Sequence, residues 1–329
     1  MSAVGVLGAG AWGTALAQML ASDGRDVLLW ALERELVEEI NRRHGNSLYL
    51  PGTVLADTIR ATGALAEIAD CDVVLVVTPA QHTGKVLAGL PRAPRDLVLC
   101  NKGIEAGSGR LMAEVAAEAA PESAIAVLSG PTFAHDVAEG LPTAVTLACG
   151  GGEAQWERLR NVIARPHFRP YYSDDLTGAE IGGAVKNVLA IACGVVDGLR
   201  LGQSARAALI ARGYAEMLRF GEAIGARAET LAGLCGLGDL VLTCTSTASR
   251  NFSLGRQLGE GASAEMLMAN RLTVAEGAHT APVLVELAAR RGVAMPIAEA
   301  VCRLLQGAPA RDVATDLLAR PLRAEGAGA

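Results

Sequence analysis

A single lysine stands in the run GGAVKNVLAI, Gly182 to Ile191, among glycine, alanine, valine, leucine and isoleucine. Burying an ammonium costs free energy unless it is paired or neutralised. Burial also disfavours the charged form, and this brings a lysine toward giving and taking a proton near neutral pH. Lys186 is therefore a candidate general acid and base, against the alternative of a lysine that snorkels from a buried helix to solvent. Lys102 emerges in LCNKGIE where an apolar run ends, and Gly130, Pro131 and Thr132 emerge in the same way in LSGPTFAHDV. Asp239 lies between Gly238 and the apolar stretch LVL. A carboxylate there needs a partner, unless it merely caps the next helix. Ser249, Arg250 and Asn251 read as a helix entrance carrying a guanidinium, a donor set suited to a phosphate. An ordinary cap with a surface arginine is the competing reading.

The second constellation is GVLGAGAWGTALA, which places Gly8, Gly10 and Gly13 in a G-x-G-x-x-G pattern with Ala11 and Trp12 between them. Gly8 permits a tight turn, Gly10 lets a pyrophosphate approach the backbone, and Gly13 lets a helix pack close to a strand. N–H groups at the helix start would then face the anion. Glu33 follows Gly13 by twenty positions (33 − 13), the expected distance for a carboxylate that accepts from ribose hydroxyls. It would repel a 2′-phosphate, although the adjacent Arg34 could turn toward one. The balance favours NAD over NADP modestly.

These residues need a scaffold, and the first half of the chain supplies the pattern for one. VGVLGAG, RDVLLWA, DVVLVVTP, DLVLCNKG, AIAVLSGP and TAVTLACG are short apolar runs, each followed by a helical pattern. That alternation predicts an α/β, Rossmann-type domain with a parallel sheet covered on both faces. After about residue 177 strand patterns nearly vanish. Long helices are predicted over Thr177–Leu199, Ala205–Ile224, Glu276–Arg291 and Pro296–Leu305. The reading is thus two domains, an α/β domain over 1–177 and an all-α domain over 178–329. Gly182 and Gly183, one turn before Lys186, are expected to leave room above the helix for a substrate.

Composition narrows the partners. The 329 residues are 51% hydrophobic and 19% charged with a net charge of −6, which allows a large core and argues against nucleic acid or an anionic membrane as partner. Seven cysteines in mostly apolar runs, with no Cys-x-x-Cys, suggest reduced thiols in the cytoplasm. The five histidines show no metal-ligand spacing, so no metal site is expected. Residues 1 to 22 lack charged side chains, but glycines break the stretch and no basic start precedes it. Neither a signal peptide nor a membrane helix fits.

In order along the chain, GAGAWGTALA, NKGIE, SGPTFA, GGAVKNVLAI, GLGDLVLTCTS, SRN and VAEG resemble the bacterial NAD(P)-dependent glycerol-3-phosphate dehydrogenase family over nearly the whole length. The resemblance implies a Rossmann domain followed by an all-helical domain. It also implies reversible hydride transfer between dihydroxyacetone phosphate and sn-glycerol 3-phosphate, feeding phospholipid synthesis. By that resemblance Lys186 is the general acid and base, and Lys102 and Asp239 line the reacting centre. Gly130 and Thr132 touch substrate, and Ser249, Arg250 and Asn251 hold its phosphate. Ala11, Trp12, Lys102, Ala134, Arg250, Val274 and Glu276 contact the NAD or NADP cofactor. Two departures stand out. Ala11 replaces a serine common in the family, and Leu32 and Glu33 replace basic residues that accompany NADP use. The rival readings are a related two-domain dehydrogenase of the 6-phosphogluconate type, which would not require SRN after GLGDLVLTCTS, and a non-catalytic dinucleotide sensor, which need not keep all three of Lys102, Lys186 and Asp239. The apolar helices of the second half could support a homodimer.

Overall fold

The computed structural model describes residues 3–269 and 275–321. The chain divides into two compact units. One comprises Met1–Lys102 and Leu111–Ala179, the other Gly103–Arg110 and Glu180–Ala329. The contiguous division into 1–177 and 178–329 did not anticipate the excursion of Gly103–Arg110 into the second unit.

The first unit alternates strand and helix. β1 (Val4–Leu7) leads to α1 (Ala11–Ala21), β2 (Val27–Trp30) to α2 (Arg34–Arg43) and β3 (Ile59–Thr62) to α3 (Leu65–Ala69). β4 (Val73–Val76) leads to α4 (Ala80–Ala88), β5 (Asp96–Leu99) to α5 (Met112–Ala119) and β6 (Ala124–Ser129) to α6 (Ala134–Ala138). β7 (Thr143–Cys149), α7 (Gly152–Ile163) and β8 (Phe168–Ser173) complete it. The eight strands form one sheet in the order β3-β2-β1-β4-β5-β6-β7-β8. Val4 pairs with Val27 on one side and Val73 on the other, so β1 is central and the strand order reverses between β1 and β4. The central strands β1, β4 and β5 are buried along their whole length. This is why they read as apolar runs, interrupted only at the start of β5 by Asp96, which pairs with Gln155 and Arg158.

The expected parallel sheet needs one correction. β7 runs antiparallel to β6, while the other neighbouring pairs are parallel. The connection between them carries only the five residues of α6. At about 1.5 Å per residue that helix spans roughly 7–8 Å, short of the roughly 20 Å of a six-residue strand, so the chain re-enters the sheet from the end at which it left. β3 and β8 were not foreseen. Both are edge strands, and IRAT and FRPYYS carry charged, proline and exposed tyrosine positions in place of an apolar run.

The second unit is helical. α8 (Leu176–Gly198) starts where Asp175 Oδ1 accepts from the Gly178 amide at 2.8 Å, an N-cap bond. α8 is long and apolar enough to cross a membrane by length and composition, yet it is buried along nearly its whole length. α9 (Gln203–Ala223), α10 (Ala228–Ala232), a π-helical turn (Leu234–Gly238), α11 (Asp239–Thr245) and α12 (Arg250–Gly259) follow. α13 (Ala264–Ala269), α14 (Glu276–Arg290), α15 (Pro296–Leu305) and α16 (Ala310–Leu318) complete the described elements.

Two helices of this unit meet along glycines. A Cβ at Gly194 or Gly198 of α8 would lie 2.0 or 2.2 Å from carbonyl oxygens of α12, those of Phe252 and Arg256. A Cβ at Gly255 of α12 would lie 1.9 Å from the Ile191 carbonyl of α8, and one at Gly259 would lie 2.6 Å from that of Val195. Backbone therefore meets backbone along this crossing, as it does wherever small residues repeat at four-residue spacing on both helices.

Candidate active site

In the first unit the glycine pattern falls where it was expected, between the central strand and its helix. Gly8 adopts φ +123°, a conformation open to glycine and strained for other residues. A Cβ on Gly13 would sit 1.8 Å from the Gly8 carbonyl oxygen, so this glycine sets the close approach of α1 to the turn. Gly10 is the N-cap of α1 and makes no side-chain cap bond, and a Cβ built on it would meet nothing within 4 Å. Ala11 and Trp12 form the first helical turn, whose N–H groups have no intrahelical acceptor. The turn stands at the carboxyl end of β1, beside the reversal of strand order, where doubly wound sheets bind ligands.

Among the described residues, three buried side-chain atoms at this edge have no hydrogen-bond partner: Trp12 Nε1, Asn101 Oδ1 and Ser129 Oγ. Orphaned polar atoms are costly in a finished core, and they cluster where a ligand completes the bonding. Together with the open turn, they fit a bound dinucleotide. Asn101 and Ser129 were not singled out in the sequence; their positions after β5 and at the end of β6 were the available signal.

Glu33 is the N-cap of α2, yet its side chain makes no cap bond. Its Oε1 accepts a 2.9 Å bond from the Tyr49 hydroxyl. Arg34, its neighbour, turns to Glu38 at 3.3 Å. Lys102, after β5, donates from Nζ to the Gly130 carbonyl at 3.3 Å, and the Thr132 hydroxyl donates to the same oxygen at 3.3 Å. The structure thus brings Lys102, Gly130 and Thr132 together. Ala134 opens α6.

In the second unit Lys186 is buried in α8, with its side chain 6% exposed. The snorkelling alternative does not hold. Its Nζ donates to Asp239 Oδ1 at 2.5 Å and to Thr243 Oγ1 at 2.9 Å. Thr243 in turn donates to the same Asp239 oxygen at 3.2 Å. Asp239 is fully buried at the first position of α11, with Thr243 one turn later. Its partner is the lysine, not its own helix start. Thr243 was missed because a threonine in an apolar helix carries no signal of its own.

Gly182 corrects an expectation. A Cβ there would lie 2.2 Å from the Cys235 carbonyl oxygen, so this glycine admits the π-helical turn against α8 and leaves no space for a substrate.

Ser249 caps α12, its Oγ accepting from the Phe252 amide at 3.2 Å. Arg250 is exposed at the first position, and among the described residues its guanidinium has no ion-pair or hydrogen-bond partner. Asn251 is buried, and its Nδ2 donates to Asn187 Oδ1 at 2.9 Å. The Gly277 amide donates to Asn251 Oδ1 at 3.0 Å, which brings the start of α14, and with it Glu276, to this pair. The residue after Lys186 is thereby tied to the residue after Arg250. Val274 lies outside the described residues.

The description "NAD-dependent glycerol-3-phosphate dehydrogenase N-terminus" matches residues 3–155, and "NAD-dependent glycerol-3-phosphate dehydrogenase C-terminus" matches residues 175–315. A glycerol-3-phosphate dehydrogenase, NAD(P)+, of Erythrobacter litoralis is 72% identical over 98% of this chain and 97% of its own. One from Novosphingobium aromaticivorans is 71% identical over 98% of each chain. The crystal structure of the glycerol-3-phosphate dehydrogenase of Coxiella burnetii is 39% identical, covers 97% of this chain and 99% of its own, and superposes with a TM-score of 0.91. With a glycine turn after the central strand of one unit, a buried lysine–aspartate pair in the other, and matches that run through both, this chain belongs to the NAD-dependent glycerol-3-phosphate dehydrogenase family.

Proposed function

We propose that this chain catalyses the reversible NAD(P)H-dependent reduction of dihydroxyacetone phosphate to sn-glycerol 3-phosphate, supplying glycerophospholipid synthesis. The observation that carries the reading is the buried amine of Lys186, held by Asp239 and Thr243 within apolar α8. A dinucleotide held by the residues of the first unit would supply the hydride chemistry at the ketone carbon, in either direction. The chain's own residues do the rest. Lys186 gives a proton to the carbonyl oxygen in reduction and takes it back in oxidation. Asp239 and Thr243 hold Nζ at one point, so that no reorganisation is needed when the oxygen gains charge. Arg250, with Ser249 and Asn251 at the start of α12, binds the substrate phosphate, and the unpartnered guanidinium supports that role. Lys102, Gly130 and Thr132 line the substrate side of the first unit. Gly8, Gly10, Ala11, Trp12 and Gly13 cradle the pyrophosphate and Glu33 accepts from the ribose. Ala134 completes the dinucleotide contacts of this unit.

The cytoplasm is the compartment that suits this reaction, and the free cysteines, six of them buried, support it. A homodimer built on the second unit is supported by the exposed Leu201 and the unburied first half of α9.

Lys186→Met removes the proton donor while keeping a long apolar side chain in the helix. The variant is expected to bind NADH normally and to lose roughly 100-fold or more in turnover of dihydroxyacetone phosphate, the usual weight of general acid catalysis. Turnover within a few-fold of the parent would remove the role from Lys186. Absence of any turnover by the parent chain would favour a dinucleotide sensor.

A further inference from the structure

Glu33 and the glycine turn are held by one short segment, Asn46–Leu50. Asn46 is buried, and its Nδ2 donates to the Ala9 carbonyl at 2.9 Å and to Thr14 Oγ1 at 2.8 Å. Thr14 Oγ1 donates to the same Ala9 carbonyl at 3.1 Å. Ala9 is the residue between Gly8 and Gly10, so Asn46 ties the segment to the phosphate turn. Asn46 Oδ1 accepts from the Tyr49 amide at 3.0 Å, which places Tyr49 by a local side-chain-to-backbone turn. The Leu50 amide closes the segment on the Asn46 carbonyl at 3.0 Å. The Tyr49 ring packs partly buried on the core of the first unit, and its hydroxyl reaches Glu33 Oε1.

The chemistry of that last bond matters. A lysine or arginine in the place of Tyr49 would cancel the charge of Glu33. A neutral phenol orients the carboxylate and leaves its negative charge intact. Burial and the neighbouring Glu33 raise the Tyr49 pKa, which keeps the phenol protonated as a donor. Among the described residues no group donates to Glu33 Oε2, so that oxygen remains available to a ligand hydroxyl. Such a carboxylate accepts from a ribose diol and repels a 2′-phosphate. The usual counterweight for a 2′-phosphate is a nearby arginine. Here Arg34 extends to Glu38 with its side chain 88% exposed, and Leu32 beside it is apolar and exposed.

We infer that Tyr49 is a positioning residue for cofactor selection: by fixing the Glu33 carboxylate without neutralising it, and by being anchored through Asn46 to the Gly8–Gly10 turn, it makes the site prefer NAD(H) to NADP(H). The inference rests on the reading above that this turn holds the dinucleotide.

Direct binding separates the possibilities. NADH and NADPH are each titrated by nicotinamide fluorescence, without substrate, into the parent chain, Tyr49→Phe, Glu33→Gln and the double variant. The parent is expected to bind NADH more tightly than NADPH. Tyr49→Phe is expected to weaken NADH by about 3- to 10-fold, the loss of one hydrogen bond, and to leave NADPH unchanged or tighter. In the Glu33→Gln background the same change is expected to weaken NADH less, because the phenol then orients a neutral amide in place of the carboxylate. Equal weakening of both nucleotides by Tyr49→Phe, an unchanged NADH affinity, or full additivity in the double variant overturns the role of Tyr49. An NADH/NADPH ratio that Glu33→Gln does not move removes Glu33 as the ribose partner and the inference with it. A parent that prefers NADPH does the same. Failure of the parent to bind either nucleotide strikes the dinucleotide reading itself.

Discussion

In the first unit the Gly8–Gly13 turn offers a ligand backbone N–H groups and keeps side chains away from them. In the second unit the Lys186 pocket brings side chains together, an ammonium, a carboxylate and a hydroxyl, within apolar surroundings. The two sites fail in different ways. A backbone site depends on what is absent, a Cβ at Gly13 above all. A buried charged pocket depends on each partner being present, because either ion alone is left in a poor solvent. Damage to the first therefore falls mainly on ligand binding, whereas damage to the second reaches the stability of the whole unit.

The largest expected effect tests the second half of that contrast. Asp239→Ala removes the carboxylate that faces the buried Lys186 ammonium. Breaking a buried pair by removing one ion is expected to cost about 3–5 kcal/mol, read as a fall in denaturant midpoint with the slope unchanged. The double change Lys186→Met with Asp239→Ala should recover much of that loss, since no lone ion remains. A cost below about 1 kcal/mol for the single change would erase the contrast between the two sites.

A second measurement sharpens it with a buried carboxyl group held by backbone. Glu216 of α9 is 2% exposed, and its carboxylate accepts from the Ile297 amide at 2.9 Å and the Ala298 amide at 3.4 Å at the start of α15. Burial pushes its pKa from 4.5 up to about 7, opposed by those two amides and by Arg219 and assisted by Glu299. Between those values the unfolded chain has released the proton and the folded chain still holds it. Stability therefore falls as pH rises through that window, by up to about 3 kcal/mol in all. Unfolding measured from pH 4.5 to 7 should show this loss in the parent and its absence in Glu216→Gln. Parallel pH profiles for the two would mean that Glu216 ionises as readily as a surface carboxylate.

The smallest effect on stability belongs to the backbone site. Gly13→Ala forces a methyl against the Gly8 carbonyl oxygen and is expected to cost about 1–3 kcal/mol by overpacking. Its signature is functional. NADH affinity should fall by a larger factor than stability alone explains, because α1 must withdraw from the turn. Unchanged NADH affinity in a folded variant would detach the glycine pattern from dinucleotide binding.

What was legible in the sequence follows the same division. β1, β2, β4, β5, β6 and β7 announced themselves as apolar runs because interior strands are buried on both faces, while β3 and β8 sit at the edges and mix polar with apolar positions. The direction of β7 was hidden because no residue type encodes it; the shortness of α6 does. Gly8, Gly10 and Gly13 were visible because a backbone site has one residue type that satisfies it. Lys186 was visible as a charge out of place, and Ser249 as a cap. Thr243, Tyr49 and Asn46 were not, because their partners lie 57, 16 and 37 positions away and nothing local marks a threonine, tyrosine or asparagine as engaged. Gly182 was visible but misread, since a glycine that admits a ligand and one that admits another stretch of backbone look alike until the neighbour is known.

The glycine crossing of α8 and α12 has a mechanical consequence. Main chain meets main chain at Gly194, Gly198, Gly255 and Gly259, so a side chain at any of these four positions would force the two rods apart. Since Lys186 rides on one rod and Arg250 begins the other, the crossing sets their separation as a gauge block machined into the scaffold.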